Sequence, residues 1–336
     1  MSFIRSEAES QPKQHSKTKK YAFLRRCVGA LIVLLGVALA LSYLRDDLNE
    51  ILQTDLRFDI SSMLLALIIQ IIGFFLAVIT WGQILKRFEA RATFRENLRV
   101  YTYSSLGWII PGGIWNIVAR SSLYSNRQTT PEQVAVASVV ERFIVGISAV
   151  LVYFAIATFQ PEVLAFNRPL LGVLITILVL ILIQPPIFNR IYQVIVNHSR
   201  DRLKSYTIRF NQRDLARWLV LEAWILLLGG FSLFILLTSF KAYPISILPF
   251  VIAAWAAAAI ASNLFFWLPG SLILHDGVFV AILSPELGTA NAIVFVILVR
   301  MWTTASLIGF ALITWIILDS PIKKHLHGPR PKNSTP

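Results

Sequence analysis

The chain has 336 residues, 56% of them hydrophobic and 15% charged, with a formal net charge of +13. A mean hydropathy of +0.66 excludes an ordinary soluble globule, and too little polar sequence remains for a separate catalytic domain. The basic residues sit in short flanks between apolar runs, which points to topology signals and anionic headgroups rather than nucleic acid, and the single Cys27 excludes an intrachain disulfide or a cysteine-based metal site.

Residues 1–20 are polar and contain Lys13, Lys17, Lys19 and Lys20, so a disordered cytoplasmic tail is expected. The apolar run at 28–44 imitates a signal peptide but lies deep in the chain and lacks a small-residue cleavage site; a retained span over about 24–44 is expected. Seven Lys or Arg precede it, and the loop 45–59 carries two against five acids, so this span runs outward. A second span over about 60–85 returns, and the next connection, 86–99, has five basic residues and is predicted to be cytoplasmic.

Residues 100–119 carry no charge but are interrupted by Pro111, Gly112 and Gly113. Proline removes a helical hydrogen bond and glycine disfavours helix interiors, so a continuous helix fails there. Arg95 and Arg99 lie before the break and Arg120 and Arg127 after it. The chain is therefore expected to enter and leave on one side, as a re-entrant hairpin whose irregular backbone is buried in protein or lines a wet cavity.

Spans are predicted at about 133–159, outward, and 170–188, returning and ending at Pro185-Pro186. The polar connection 189–217 has seven basic residues against two acids and is predicted to be cytoplasmic. A further span over about 218–240 leads into 242–299, nearly charge-free and broken at Pro269-Gly270 and again near Ser284-Pro285. The last span, about 291–318, precedes Lys323, Lys324, Arg330 and Lys332, which places the C-terminal tail, 321–336, inside.

Pro269 follows Pro111 by 158 positions, and Arg300 follows Arg142 by the same 158. By loop charge the first broken segment opens from the cytoplasm, whereas parity requires the second, 242–290, to begin and end outside. Two copies of one unit in opposite orientation follow, about 24–165 and 170–320, within a single membrane domain at 21–320. The predicted class is an all-α polytopic membrane protein of two inverted-topology repeats. It has about six full transmembrane helices plus two broken or re-entrant hairpins, up to eight spans if both arms of the second, 242–290, cross.

Arg142 and Arg300 fall about ten residues into their spans, where an arginine is unfavourable by roughly 2.5–3.5 kcal/mol on insertion scales. Two explanations stand: the guanidiniums bind a lipid phosphate, or they pair internally with Glu141 or Asp276. Neighbouring helix positions do not face each other, so the expected partner of Glu141 is Arg300 in the other copy. Asp276 is either a charge relay or headgroup contact, or an acid exposed near the outer mouth of the second hairpin. Arg120 is expected to reach cytoplasmic headgroups and Glu222 to be interfacial. Trp81, Trp218 and Trp315 are expected in aromatic belts, and Trp108, Trp115 and Trp267 to pack at the hairpin tips. No GxSxG, HExxH, Gly-rich phosphate loop or CxxC occurs, and no metal or other cofactor is expected.

The segments Leu106-Gly107-Trp108-Ile109-Ile110-Pro111-Gly112-Gly113, Ala137-Ser138-Val139-Val140-Glu141-Arg142 and Ser262-Asn263-Leu264 leading to Leu268-Pro269-Gly270, with Arg300, carry a resemblance. In order and spacing the chain resembles the lysylphosphatidylglycerol synthase transmembrane, flippase-like family, the membrane half of the multiple-peptide-resistance factor, over roughly residues 20–320. The resemblance implies a non-enzymatic protein of the cell membrane that moves anionic or aminoacylated phospholipids between leaflets, with the hairpins and the buried Arg and Glu lining the path. The family's second motif usually reads PGGxGxxE; here Ser271, Ile273 and Asp276 replace its second Gly, third Gly and Glu, and Trp115 stands where the first hairpin commonly has Gly.

The function expected is thus a lipid translocase with Arg142, Arg300, Glu141, Asp276 and Arg120 contacting substrate and Pro111, Gly112, Gly113, Pro269 and Gly270 as hinges. Its partners would be membrane phospholipids, with a second copy of the chain or a membrane enzyme left open. Both termini would be cytoplasmic. Two alternatives remain: a non-transporting scaffold for a lipid-modifying or cell-envelope enzyme, and, behind it, a polyprenyl-phosphate-dependent glycosyltransferase using Asp46-Asp47.

Overall fold

A computed structural model of the chain describes residues 59–109, 114–124, 129–163, 169–197, 208–265 and 271–319. The predicted first span, the hinge residues Pro111, Gly112, Gly113, Pro269 and Gly270, Trp267, Asp46-Asp47 and both tails lie outside the described residues. Those described form α-helices and short 3-10 turns with no strand among them. The helices are α1 (Ile60–Arg87), α2 (Phe94–Ser105), α3 (Trp115–Leu123), α4 (Pro131–Phe159), α5 (Pro169–Leu182), α6 (Pro185–Asn197), α7 (Gln212–Phe240), α8 (Leu248–Leu264), α9 (Ser271–Leu287) and α10 (Thr289–Leu318).

Helix starts are written in short polar signals. Asp59 accepts from the Ser61 amide at the head of α1. Thr93 with Glu96, and Thr130 with Gln133, form reciprocal capping boxes before α2 and α4, and Pro131 occupies the first helical position. Asn211 accepts from the Asp214 amide and starts α7 six residues before the predicted 218, so Arg213, Asp214 and Arg217 ride on its first turns.

Four of the five predicted spans within the described residues appear as single helices long and apolar enough to cross a bilayer, and Ile245–Leu264 is a fifth such helix. The fourth predicted span is different: it is α5 and α6, bent by 73°. Pro185 does not end the span but opens a second helix, because a first-turn proline loses no intrahelical hydrogen bond. Likewise α9 continues through Pro285, and the turn falls at Gly288, whose φ of +79° suits glycine.

The two broken regions differ in reach. At 1.5 Å per residue, α2 and α3 with 12 and 9 residues are about 18 and 13 Å long. Neither crosses a core of about 30 Å, as a re-entrant hairpin requires. The first arm of the second region is long enough to cross, and α9 with 17 residues extends about 25 Å.

Shifting residue numbers by 158 carries α4 onto α10, α2 onto α8 and α3 onto the first part of α9. The counterparts α1 and α7 lie antiparallel along their length. The Asp59 amide donates to Ser239 O at 3.0 Å at one end, Ser232 Oγ to Ala66 O at 2.8 Å between, and Arg87 Nε to Asp214 Oδ2 at 2.5 Å at the other. Across the two copies α4 packs on α8, and reciprocally α10 packs on α2. Antiparallel counterparts with reciprocal cross-packing are the geometry of inverted repeats.

Leu64, Ile68, Ile72 and Ile79 on α1, and Met301, Ile308, Leu312 and Ile316 on α10, are exposed in apolar stripes. Such surface is unsuited to water and fits hydrocarbon. Trp315 is exposed, as a belt residue would be, but Trp81 and Trp218 are fully buried in a core with Phe88, Ile144 and Leu215. Their rings fill the junction of α1, α4 and α7 instead of marking an interface. Where α7 meets α8, small residues permit close approach: a Cβ on Gly230 would lie 2.8 Å from the Ile252 Cα. Gly230→Ala is therefore expected to lower stability by about 1–3 kcal/mol, seen as a lower Tm of the purified protein in detergent. Gly277, with nothing within 4 Å of an added Cβ, is the control; equal Tm values for the two alanine variants would contradict this packing.

Candidate functional site: a cavity with two buried arginines

Between α1, α4, α7 and α8, and flanked by α2 and α3, lies a partly open cavity of about 230 Å³ whose lining includes Arg120, Glu141, Arg142 and Glu222. Arg120 on α3 is 1% exposed. Its Nη1 donates to Glu141 Oε2 at 2.5 Å and its Nε to Ser104 Oγ at 3.2 Å. The guanidinium also lies 4.3 Å from the Trp81 ring centre and 4.4 Å from that of Tyr101. Trp81 is held in turn by donating to Tyr124 Oη at 2.6 Å, and Tyr124 donates to Asn97 Oδ1 at 2.8 Å. A carboxylate, a hydroxyl and two aromatic faces thus replace the water this cation has lost.

Arg142, one position beyond Glu141 on α4, points elsewhere. Its Nη2 donates to Asn116 Oδ1 at 3.0 Å, and its guanidinium sits 3.8 Å from the Trp108 ring centre. Asn116 is placed by the tight contact of the hairpin: a Cβ on Gly107 would lie 2.9 Å from the Asn116 backbone. Glycine at 107 is therefore what lets the two arms close on Arg142. The cavity also presents Gln70 Oε1 and Asn263 Oδ1, both buried without a hydrogen-bond partner among the described residues.

Several sequence expectations change here. Arg120 does not reach headgroups; it is the buried partner of Glu141. Glu141 does not meet Arg300, because packing of α3 on α4 brings Arg120 to it first. Arg300 donates through Nε and Nη2 to Asp276 Oδ2, at 3.0 and 2.6 Å, and His275 Nδ1 lies 3.0 Å from Asp276 Oδ1. Asp276 is thus an ion-pair partner rather than a solitary exposed acid. Arg300 and Asp276 do not line this cavity, and the Arg300 side chain is 42% exposed. Trp108 packs at the hairpin as expected and also covers Arg142, while Trp115 is exposed.

Glu222, expected near an interface, faces the interior of the helix bundle. The sequence places it four residues into a span beginning at 218; α7 begins at Gln212, so Glu222 lies ten residues, about 15 Å, along the helix. It is 4% exposed and lines the cavity. Among the described residues no three His, Cys, Asp or Glu side chains converge as a metal site would require.

The fold and the site define an all-α polytopic membrane protein with a cavity lined by buried arginines. A family model, the lysylphosphatidylglycerol synthase TM region, matches residues 27–311, and the chain belongs to that family. It is an integral membrane protein with a lipid-related role. No curated protein and no solved structure matches the chain significantly.

Removing one partner of a buried ion pair leaves an uncompensated charge, at a cost of about 3–5 kcal/mol, whereas replacing both by apolar side chains is often neutral. Arg120→Met and Glu141→Leu are each accordingly expected to lower Tm strongly, and the double variant Arg120→Met/Glu141→Leu to lose less than the sum of the two. Additive losses in this cycle would show that the two side chains do not act as a pair.

Proposed function

We propose that the chain is a lipid translocase, not an enzyme, moving anionic or aminoacylated phospholipids between the leaflets of the cell membrane with both termini cytoplasmic. The observation that carries this proposal is Arg142: a guanidinium within the bilayer-spanning part of α4, backed by Trp108 and Asn116, at the wall of a cavity. A planar guanidinium matches phosphate oxygens. Carrying a charged headgroup through hydrocarbon is costly, and a polar groove lowers that barrier.

Arg120 and Glu141 set the charge and shape of the groove, and Arg142 contacts the headgroup. Arg300 and Asp276 hold α10 to α9, a second contact point for a headgroup leaving the groove. The Pro111-Gly112-Gly113 and Pro269-Gly270 breaks are the hinges by which the groove opens to one leaflet and then the other. Family membership and the location of Arg142 support this assignment.

The test is reconstitution of the full chain in vesicles with labelled phosphatidylglycerol, read by surface quenching. A hydrogen bond to a charged group contributes about 1.5–3 kcal/mol, so Arg142→Ala is expected to slow transfer about ten- to hundredfold. Arg300→Ala, away from the cavity, should have the smaller effect. If Arg142→Ala transfers as fast as wild type, the arginine route is wrong; if wild type matches empty vesicles, a non-transporting scaffold takes its place.

A further inference from the structure

Two carboxyls line the cavity, and only one is engaged. Glu141 is taken by Arg120, whereas Glu222 has no hydrogen bond or ion pair among the described residues. Its position along the bundle matches that of Arg142. Arg142 is eleven residues along α4 and Glu222 ten along α7, and both helices start at the same end of the molecule. There Gln133 Nε2 donates to Phe88 O and Arg87 pairs with Asp214, tying both starts to the end of α1.

The titratable and charged groups around Glu222 are few. Glu141 and Arg142 come from α4, Arg120 from α3 and Tyr101 from α2; α1 and α8 present to the cavity only the uncharged Gln70, Trp255 and Asn263 as polar groups. His275, beside Asp276 on α9, stands edge-on to Trp255 with ring centres 5.8 Å apart and does not line the cavity.

The lining charges therefore sum simply. With Glu222 ionised, two arginines face two carboxylates and the cavity is neutral; with Glu222 protonated it carries one positive charge, which one lipid phosphate cancels. Net charge in a low-dielectric site is costly. The two neutral states, empty with a carboxylate and loaded with a carboxylic acid, are favoured over the two charged ones. The orphaned acceptors Gln70 Oε1 and Asn263 Oδ1 fit the loaded state, because a carboxylic acid and a hydroxylated or amino headgroup are donors and a carboxylate is not.

We propose that Glu222 is a proton-binding site that couples proton movement to headgroup movement: it takes up one proton when a phosphate headgroup enters the cavity and releases it when the headgroup leaves. This rests on the translocase reading and names its energy source, a proton gradient.

The test uses the full-length protein in detergent with dihexanoyl-phosphatidylglycerol as the probe, titrated by calorimetry in two buffers of different protonation enthalpy. Wild type is expected to take up about one proton per lipid, with Kd rising about tenfold per pH unit above the titration of Glu222. Glu222→Gln is expected to bind, whatever its affinity, with no pH slope, and Glu222→Asp to restore the slope. Wild type that binds without proton uptake, or Glu222→Gln that keeps the slope, overturns the proposal. Inorganic phosphate in place of the lipid should bind far more weakly; equal affinity and equal proton uptake would make a free phosphate the ligand and overturn the lipid assignment. Vesicle transfer of labelled phosphatidylglycerol separates the two failures. Transfer without proton uptake sinks the coupling alone; no lipid binding and no transfer sinks the translocase as well.

Discussion

A charge in hydrocarbon must bring its own solvation, and the Arg120–Glu141 pair is where this chain meets that requirement. The pair fastens the short α3 to the long α4. With the Trp81 and Tyr101 rings over the guanidinium, it commits Glu141 to Arg120 through Oε2. Arg142, the next residue along α4, then turns toward Asn116 and Trp108 and into the cavity wall. The polar cavity is thus a consequence of how one cation was buried.

Symmetry of scaffold coexists with asymmetry of chemistry. In each copy the span arginine reaches the second arm of its own hairpin, Arg142 to Asn116 and Arg300 to Asp276. At the positions 158 beyond Arg120, Glu141 and Asn116, however, the second copy has Val278, Val299 and Leu274. Valine needs no solvation, so at these positions the second copy has no counterpart of the buried pair. Its ion pair is carried by Asp276, at the register of Val118 in the first copy. One copy supplies the site; the other supplies the antiparallel helices α7 and α8 that close it and contribute Glu222, Trp255 and Asn263.

Close helix contact makes this arrangement possible. Gly107 lets the hairpin arms meet, and Gly230 lets α7 meet α8 at backbone distance. Both glycines act through the absence of a Cβ rather than through flexibility. The apolar stripes of α1 and α10 face outward, so the polar groups are gathered inside, the only place where a bilayer tolerates them.

The helix order, most span positions, the 158-residue register and the opposite orientation of the two copies were all legible in the sequence. Hydropathy, capping residues and loop charge act locally and leave their mark in consecutive residues. Proline was the local signal that misled. Pro185 and Pro285 read as stops, yet one opens a helix and the other is accommodated inside one. The partners of the buried charges were not legible. Whether Glu141 meets Arg120 or Arg300, and whether Glu222 faces headgroups or a cavity, depends on the rotation and relative depth of helices distant in sequence. Those are set by side-chain packing between α1, α3, α4, α7 and α8, which no run of consecutive residues records. The sequence determined which charges had to be solvated inside the membrane; only the tertiary structure decided by what.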